Sequence, residues 1–529
     1  MTSRTGPPLR AYTDLGNAER FAQEFGHQVR YVPPWRSWIV WDGLRWAEDK
    51  DGAAERLAHA MILQLYHDAA NLSDHDDKIR LLRHAERSEN NARLRALLEC
   101  ARVQPPIPIQ PAALDTHPMR LTVANGTLDL VTGTLGPARP EDFITKRVPI
   151  MFDPGARCPR WDAFLKQVVP DAAVRGFLQK AVGYSLTGDI SEQCMFLLLG
   201  VGANGKTTFV EIVRRVLGDS AHQADVATFL DRLQQGGPRN GVAGLCGMRF
   251  VTSSEIGENR RLNESLMKTL TGSEPISASR IYEREFEFHP TFKIWIAANH
   301  KPVIRGADEG IWRRLRLVPF TANIQPDKQD HHLREKLETE LPGILAWAVQ
   351  GCLAWQREGL GETETVTVAT KQFREESDEI GQFIAARCTR DDTKSTPAGA
   401  LYTAYEAWCA QNALEAMTQT KFGRNLTDRG FRRETAKDGK RLSLRMGIVL
   451  DPENAEDPEK TGDHAGNGEC VTVGEGLSLS THKERDMEVT IEETRSNSLN
   501  PLADTVSESL EADQYELDER AGMQEEAHA

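Results

Sequence analysis

The chain has 529 residues, 40% of them hydrophobic and 27% charged, with a formal net charge of −14. A chain of that length holds about two to four domains with sizeable cores. Its eight cysteines contain no C-x-x-C pair, and no apolar run reaches the roughly 18 residues of a membrane span, so a zinc knuckle and insertion into a membrane are both excluded as expectations. The start, "MTSRTGPPLR", lacks the apolar centre of a signal peptide, which predicts a reduced, cytoplasmic protein.

Residues 1–14 read as a disordered start and 15–155 as an α+β N-terminal domain. In "VRYVPPWRSWIVWDGLRWAED", Trp35, Trp38, Trp41 and Trp46 stand among alternating apolar residues, and Asp42-Gly43 marks a tight turn. Tryptophans so spaced more often fill a core. The interleaved Arg30, Arg36 and Arg45 leave a stacking surface for nucleic acid as the alternative. Helical periodicity covers about 53–102. "LTVANGTLDLVTGTLGPARPEDFITKRVPIMFDP" then reads as a small β region leading into the next domain, 156–345.

That domain carries the strongest motif. Gly200, Gly205, Lys206 and Thr207 fit G-x-x-x-x-G-K-[ST], between a buried strand at 194–199 and a helix over 208–217. The loop Gly200, Val201, Gly202, Ala203, Asn204 and Gly205, with Lys206, Thr207 and Thr208, is therefore the expected ATP site. Backbone N–H groups and the helix dipole cradle phosphates there, Lys206 reaches the outer ones, and the Thr207 hydroxyl meets Mg²⁺.

Downstream, "GMRFVTSSEIGE" predicts a strand delivering Glu255 as the carboxylate that polarises water and helps hold Mg²⁺; an ordinary surface glutamate is the alternative. Ser254 stands where an aspartate is usual. "ISASRIYEREFEF" alternates like a hairpin with its tip at Glu283-Arg284, which puts Arg280, Tyr282 and Arg284 on one face as candidate DNA contacts. "KIWIAANHKP" is a third strand, ending in Asn299, a polar residue able to hold the γ-phosphate or the lytic water. "DEGIWRRLRLVPF" places Arg313 and Arg314 before a further strand. They are either an arginine finger acting on a neighbouring subunit or surface partners of Asp308 and Glu309.

Residues 346–375 read as a helical linker and 376–450 as a last ordered unit with two helices and a β-wing around Asp438-Gly439. Between Thr418 and Leu450 stand nine Lys/Arg against three Asp/Glu. This is an electrostatic footprint for a DNA backbone, with Lys421, Arg424, Arg432 and Arg433 as contacts, or else a solvated basic face. Residues 451–529 hold 22 Asp/Glu and 5 Lys/Arg and are predicted to be a disordered acidic tail, leaving the body of the chain mildly basic.

In this order the motifs resemble the superfamily 3 helicases, in particular the helicase part of phage and plasmid primase-helicases, the branch that includes the poxvirus primase-helicase. "GVGANGKTT", "SSEI", "MKTLTGSEPISASR", "KIWIAANHKP" and "WRRLRLVPF" stand where that family has its phosphate loop, acidic motif, hairpin motif, sensor asparagine and arginine finger. The resemblance implies an α/β fold: an AAA+-like P-loop ATPase core, an α+β N-terminal domain and a C-terminal winged helix. It further implies a homo-hexameric ring on single-stranded or forked DNA, 3′ to 5′ travel, and a separate primase or replication protein as partner, because no primase domain fits in front. A non-unwinding ATPase that binds an origin or partners a primase is the alternative. A small-molecule kinase would need neither the hairpin nor the Arg-Arg segment.

Overall fold

The computed structural model describes residues 12–231, 240–253, 256–257, 260–279, 285–304, 309–412, 414–435 and 443–451. Glu255, the hairpin residues Arg280, Tyr282 and Arg284, Asp308, the wing tip at Asp438-Gly439 and the acidic tail beyond Asp451 lie outside them. No helix among the described residues is long and apolar enough to cross a membrane.

The chain opens with helix α1 (Asp14–Phe25), capped by the Thr13 hydroxyl, and an antiparallel meander of β1 (Val29–Val32), β2 (Ser37–Trp41) and β3 (Trp46–Glu48). Gly43, at a φ of 95°, makes the expected Asp42-Gly43 turn between β2 and β3. Helices α2 (Ala53–Ala70), α3 (His75–Ser88) and α4 (Asn91–Ala101) pack against α1 and β1 through Phe21, Met61, Leu65 and Leu97. Of the four tryptophans Trp46 is fully buried, Trp38 and Trp41 are half-buried, and Trp35 is exposed.

A second meander, β4 (Arg120–Val123), β5 (Gly126–Asp129) and β6 (Thr134–Gly136), does not belong to that first core. Its Leu121, Val123 and Leu128 join the core of the following domain, with Trp161 and Phe164 of α5 (Pro159–Val168) and Phe177 of α6 (Ala172–Ser185). The core therefore crosses the boundary expected at residue 155.

The centre of the molecule is a five-stranded parallel sheet. Its strands are β7 (Met195–Leu199), β8 (Ala221–Ala224), β9 (Phe250–Ser253), β12 (Lys293–Ala298) and β13 (Leu315–Pro319), in the order β13-β7-β12-β9-β8. Alternation along the central strands separates two layers. Phe196, Leu198 and Trp295 face α5, α6 and α7 (Lys206–Leu217), whereas Met195, Leu197, Ile294 and Ile296 face the opposite core. Phe196 and Trp295 stack with their centres 4.2 Å apart. Between these strands lie α8 (Asn240–Ala243), α9 (Glu264–Leu270), the antiparallel pair β10 (Ile276–Ala278) and β11 (Phe286–Phe288), and the short helix α10 (Glu309–Trp312).

After β13 come α11 (Leu333–Glu338), α12 (Leu341–Glu358) and α13 (Glu364–Ser377). Much of the stretch expected to be a linker is core. Ala348, Val349 and Cys352 of α12 are buried against α6, and the helices touch where a Cβ on Gly183 would lie 2.0 Å from the Cys352 nitrogen. Helix α13 packs along β13, with the Thr370 hydroxyl accepting from the Leu317 amide at 3.0 Å.

The last described unit runs α14 (Glu379–Arg387), β14 (Cys388–Pro397), α15 (Ala398–Gln411), α16 (Gln419–Asp428), β15 (Arg433–Thr435) and β16 (Ser443–Leu450), with strand order β14-β16-β15. Phe383, Leu401, Tyr405, Trp408 and Phe422 form its core. Strand β14 is an addition to the sequence reading, which ran from helix to helix there.

Candidate active site

The C-terminal edge of the parallel sheet gathers the residues of the glycine-rich loop. Strand β7 ends at Leu199, and the chain turns at once through Gly200, where a Cβ would lie 2.2 Å from the Phe320 carbonyl oxygen. Ala203 and Gly205 take positive φ, 57° and 81°, and a Cβ on Gly205 would meet Val168 at 2.5 Å. The turn closes on itself through Asn204, whose amide donates to the carbonyls of Val201 (2.9 Å) and Phe320 (3.3 Å). Helix α7 starts at Lys206, two residues earlier than its apolar periodicity suggests, with Gly205 in the left-handed region at its N-cap.

Lys206 is 4% exposed, and its ammonium donates to the Gly200 carbonyl (2.5 Å), to Asn204 Oδ1 (3.0 Å) and to Asn299 Oδ1 (2.9 Å). Asn299 follows β12, the neighbour of β7, so parallel pairing of Ala298 with Leu199 brings Asn299 and the loop to the same level. Two predicted site residues 93 positions apart thus bond directly. Val201, 86% exposed, and exposed Thr207 face solvent at the crest of the loop and the first turn of α7. A buried ammonium beside a helix N-terminus favours a polyanion there. Glu255, two residues beyond β9, lies outside the described residues. Among the described residues no group of three His, Cys, Asp or Glu could hold a metal ion alone.

The two arginines fall at the other edge of the sheet and part company. Leu315 of β13 pairs with Met195, the start of β7, so Arg313 and Arg314 lie at the opposite end from the glycine-rich loop. Arg313 is exposed. Arg314 is 9% exposed and donates to the Gly310 carbonyl at 2.8 Å, turned into its own subunit. This corrects the paired reading: only Arg313 is presented outward. Nor does Glu309 serve as its ion partner, since Arg374 of α13 engages that carboxylate.

In the C-terminal unit Lys421 is half-buried on α16, and Arg424, Arg432 and Arg433 are exposed. Two of the nine basic residues counted there are engaged within the unit, one buried and one half-buried. Arg445, 6% exposed, pins α16 through Thr427 Oγ1 (2.7 Å) and the carbonyls of Gly423 and Phe431, and Arg429 pairs with Asp378. The sequence reading also passed over Lys301, which pairs with Glu376 two residues after Asn299. A lysine beside a proline carries no signal of its own.

Comparisons with known proteins follow this layout. Residues 18–170 match the model described as D5 N terminal like, 198–314 a family of unknown function (DUF5906), and 375–450 the model described as Poxvirus D5 protein-like. Among curated relatives, "Putative helicase L207/L206" of Acanthamoeba polyphaga mimivirus is 26% identical over 59% of this chain and 35% of its own length. "Putative helicase 022R" of Frog virus 3 is 23% identical over 57% and 39%. "Putative primase C962R" of African swine fever virus is 25% identical over 56% and 34%. The chain thus spans little more than a third of the length of the curated relatives it matches. A solved structure of the NrS-1 C terminal region aligns over 80% of this chain and 96% of that one, at 10% identity and a TM-score of 0.47. The chain is thus similar to these viral proteins, with a D5 N-terminal-like segment before its parallel sheet and a poxvirus D5-like segment after it.

Proposed function

We propose that the chain is an ATP-dependent replicative DNA helicase of a virus, phage or mobile element, built as an AAA+-like superfamily 3 P-loop ATPase with a winged-helix DNA-binding unit at its C-terminus and working as a homo-hexameric ring on DNA. The observation that carries this reading is the bond between Lys206 and Asn299 at one edge of a β13-β7-β12-β9-β8 sheet, with Arg313 presented at the opposite edge. The helicase and primase names of the viral relatives support it, as does the α-β-α-α-β-β succession of the last unit.

In this reading the loop from Gly200 to Thr208 binds the triphosphate of ATP through backbone N–H groups, and Lys206 exchanges its contacts with Gly200 and Asn299 for phosphate oxygens. Thr207 and Glu255 would hold a Mg²⁺ ion, which supplies charge neutralisation at the phosphates. Glu255 takes the proton of the attacking water, and Asn299 orients that water. Arg313 reaches a neighbour's site. Arg280, Tyr282 and Arg284 meet DNA in the ring channel, and Lys421, Arg424, Arg432 and Arg433 meet it through the C-terminal unit, with any primase supplied as a separate chain.

The test is ATP hydrolysis with and without single-stranded DNA, unwinding of a forked duplex, and particle mass. Lys206→Ala is expected to abolish hydrolysis while the chain stays folded. Near wild-type turnover in that variant would remove the phosphate-loop assignment. DNA-stimulated hydrolysis with no strand separation would favour the non-unwinding ATPase instead.

A further inference from the structure

The C-terminal half of α13 is gripped by three segments with different roles. Phe373, 2% exposed, stands edge-on to Trp312 with ring centres 5.3 Å apart, and the Lys301 ammonium lies 5.6 Å from the centre of the same ring. Lys301 also pairs with Glu376, so the segment just after Asn299 is tied to this helix. The fork of Arg374 holds both oxygens of Glu309, Nη2 to Oε1 at 2.5 Å and Nη1 to Oε2 at 3.3 Å. Glu309 opens α10, the short helix that ends immediately before Arg313. Directly after α13, Asp378 receives both Nη groups of Arg429, one of them at 2.8 Å, and Arg429 is the C-cap residue of α16.

From Phe373 to Ser377, the end of α13, is about 6 Å along one helix, and Asp378 is its C-cap, so movement at one grip reaches the others. The Arg374–Glu309 pair is solvent-facing, with side chains 44% and 73% exposed, and such a pair contributes little to folding. What a two-pronged guanidinium–carboxylate pair does supply is direction. Between the grips lies a cavity of about 310 Å³, lined by Glu309, Trp312, Arg374, Asp378 and Arg429, which leaves the junction room to shift.

We propose that Arg374 is a positioning residue for Arg313: its fork sets the angle of α10, and the Asp378–Arg429 pair makes that angle follow the C-terminal unit. Engagement of α16 by nucleic acid then changes the presentation of Arg313, and through Lys301 the placement of Asn299. The proposal rests on the reading of Arg313 as a finger for a neighbour's phosphate.

The test compares wild type, Arg374→Glu, Glu309→Arg, the double reversal and Arg313→Ala in steady-state ATPase assays with and without a single-stranded oligonucleotide. Each single reversal is expected to lower kcat about tenfold with the KM for ATP within about twofold, and the double reversal to recover to within about threefold of wild type. Melting temperatures are expected to stay within about 3 °C, as for other exposed pairs. Arg429→Ala is expected to keep basal kcat and DNA affinity by fluorescence anisotropy, yet lose stimulation by DNA. Wild-type kcat in both single reversals, a double no better than the singles, or full stimulation in Arg429→Ala would each overturn the proposal. Full turnover in Arg313→Ala would overturn the finger reading and this proposal together. Loss in Arg313→Ala with wild-type turnover in Arg374→Glu would overturn this proposal alone.

Discussion

Arg313 and Arg314, adjacent in sequence, are expected to fail in different ways when replaced by alanine. From Leu315 to the level of Leu199 is four strand steps, about 13 Å, before the chain reaches the phosphate loop, and Arg313 lies two residues further back. That exceeds what an arginine side chain spans, so Arg313 cannot serve its own site. An arginine supplied to a neighbour's phosphoryl group is worth at least about a thousandfold in rate, or about 4 kcal/mol of barrier. Arg313 is exposed, so Arg313→Ala should cost no more than about 0.5 kcal/mol of stability. Arg314→Ala removes a buried stem and a charge-assisted bond to Gly310, a loss of about 2–3 kcal/mol of stability. The assay mixes Lys206→Ala subunits, which lack their own site, with Arg313→Ala subunits, which lack the finger. Each is inactive alone, and mixed assemblies regain part of the ATPase because intact sites then sit beside intact fingers. No recovery in particles shown by native mass to be mixed, or full activity of Arg313→Ala alone, would refute the argument.

Three further outcomes are expected. Asn299→Ala takes an acceptor from the Lys206 ammonium and the polar group at the tip of β12, and should lower kcat about a hundredfold with little change in nucleotide affinity, measured by fluorescent-nucleotide titration. Arg445→Ala should destabilise the C-terminal unit by about 2–4 kcal/mol, seen as faster hydrogen exchange in α16, whereas Arg424→Ala should weaken DNA binding and leave that exchange unchanged. His84, bonded to Asn17 and held below its ordinary 6.5 first by burial and then by Arg20, binds fewer protons folded than unfolded. Its contribution is therefore intact above 6.5 and lost as the pH falls toward the lower folded value. Urea midpoints at about pH 7.5 and about pH 5.5 should differ less in His84→Gln than in wild type.

What could be read from the sequence follows what is buried on both sides. Strands β7 and β12 lie inside the parallel sheet with a neighbour on each side, so "MFLLL" and the body of "KIWIAA" read as apolar runs, and the tip of β12 is followed by the polar Asn299. Strands β8, "AHQA", and β14, "CTRDDTKSTP", are edge strands of polar composition. They exist because β9 and β16 offer a ladder, and composition does not record a partner. Trp35 and Trp46 show the same limit within one meander, one in a 3₁₀ turn facing water and the other fully enclosed.

Charge is where one-dimensional reading loses most, and two buried lysines show why. Lys206 and Lys293 sit at opposite ends of the sheet, 4% and 1% exposed, and each is held by oxygens. Lys293 donates to the carbonyls of Thr187, Asp189 and Thr291 and lies over the Tyr184 ring, and burial, with Arg249 nearby, pushes its ammonium down to about 7. Its acceptors are main-chain groups of packed turns, so it works as a staple with nothing to exchange. Among the described residues, two acceptors of Lys206 are side-chain amides, Asn204 and Asn299, and another belongs to a loop whose crest at Val201 is 86% exposed. An anion arriving at that crest can take over this ammonium by moving a loop and two side chains, with the sheet untouched. The glycines at 200 and 205 encode that difference, because they let the loop reach conformations that no side chain at those positions would permit.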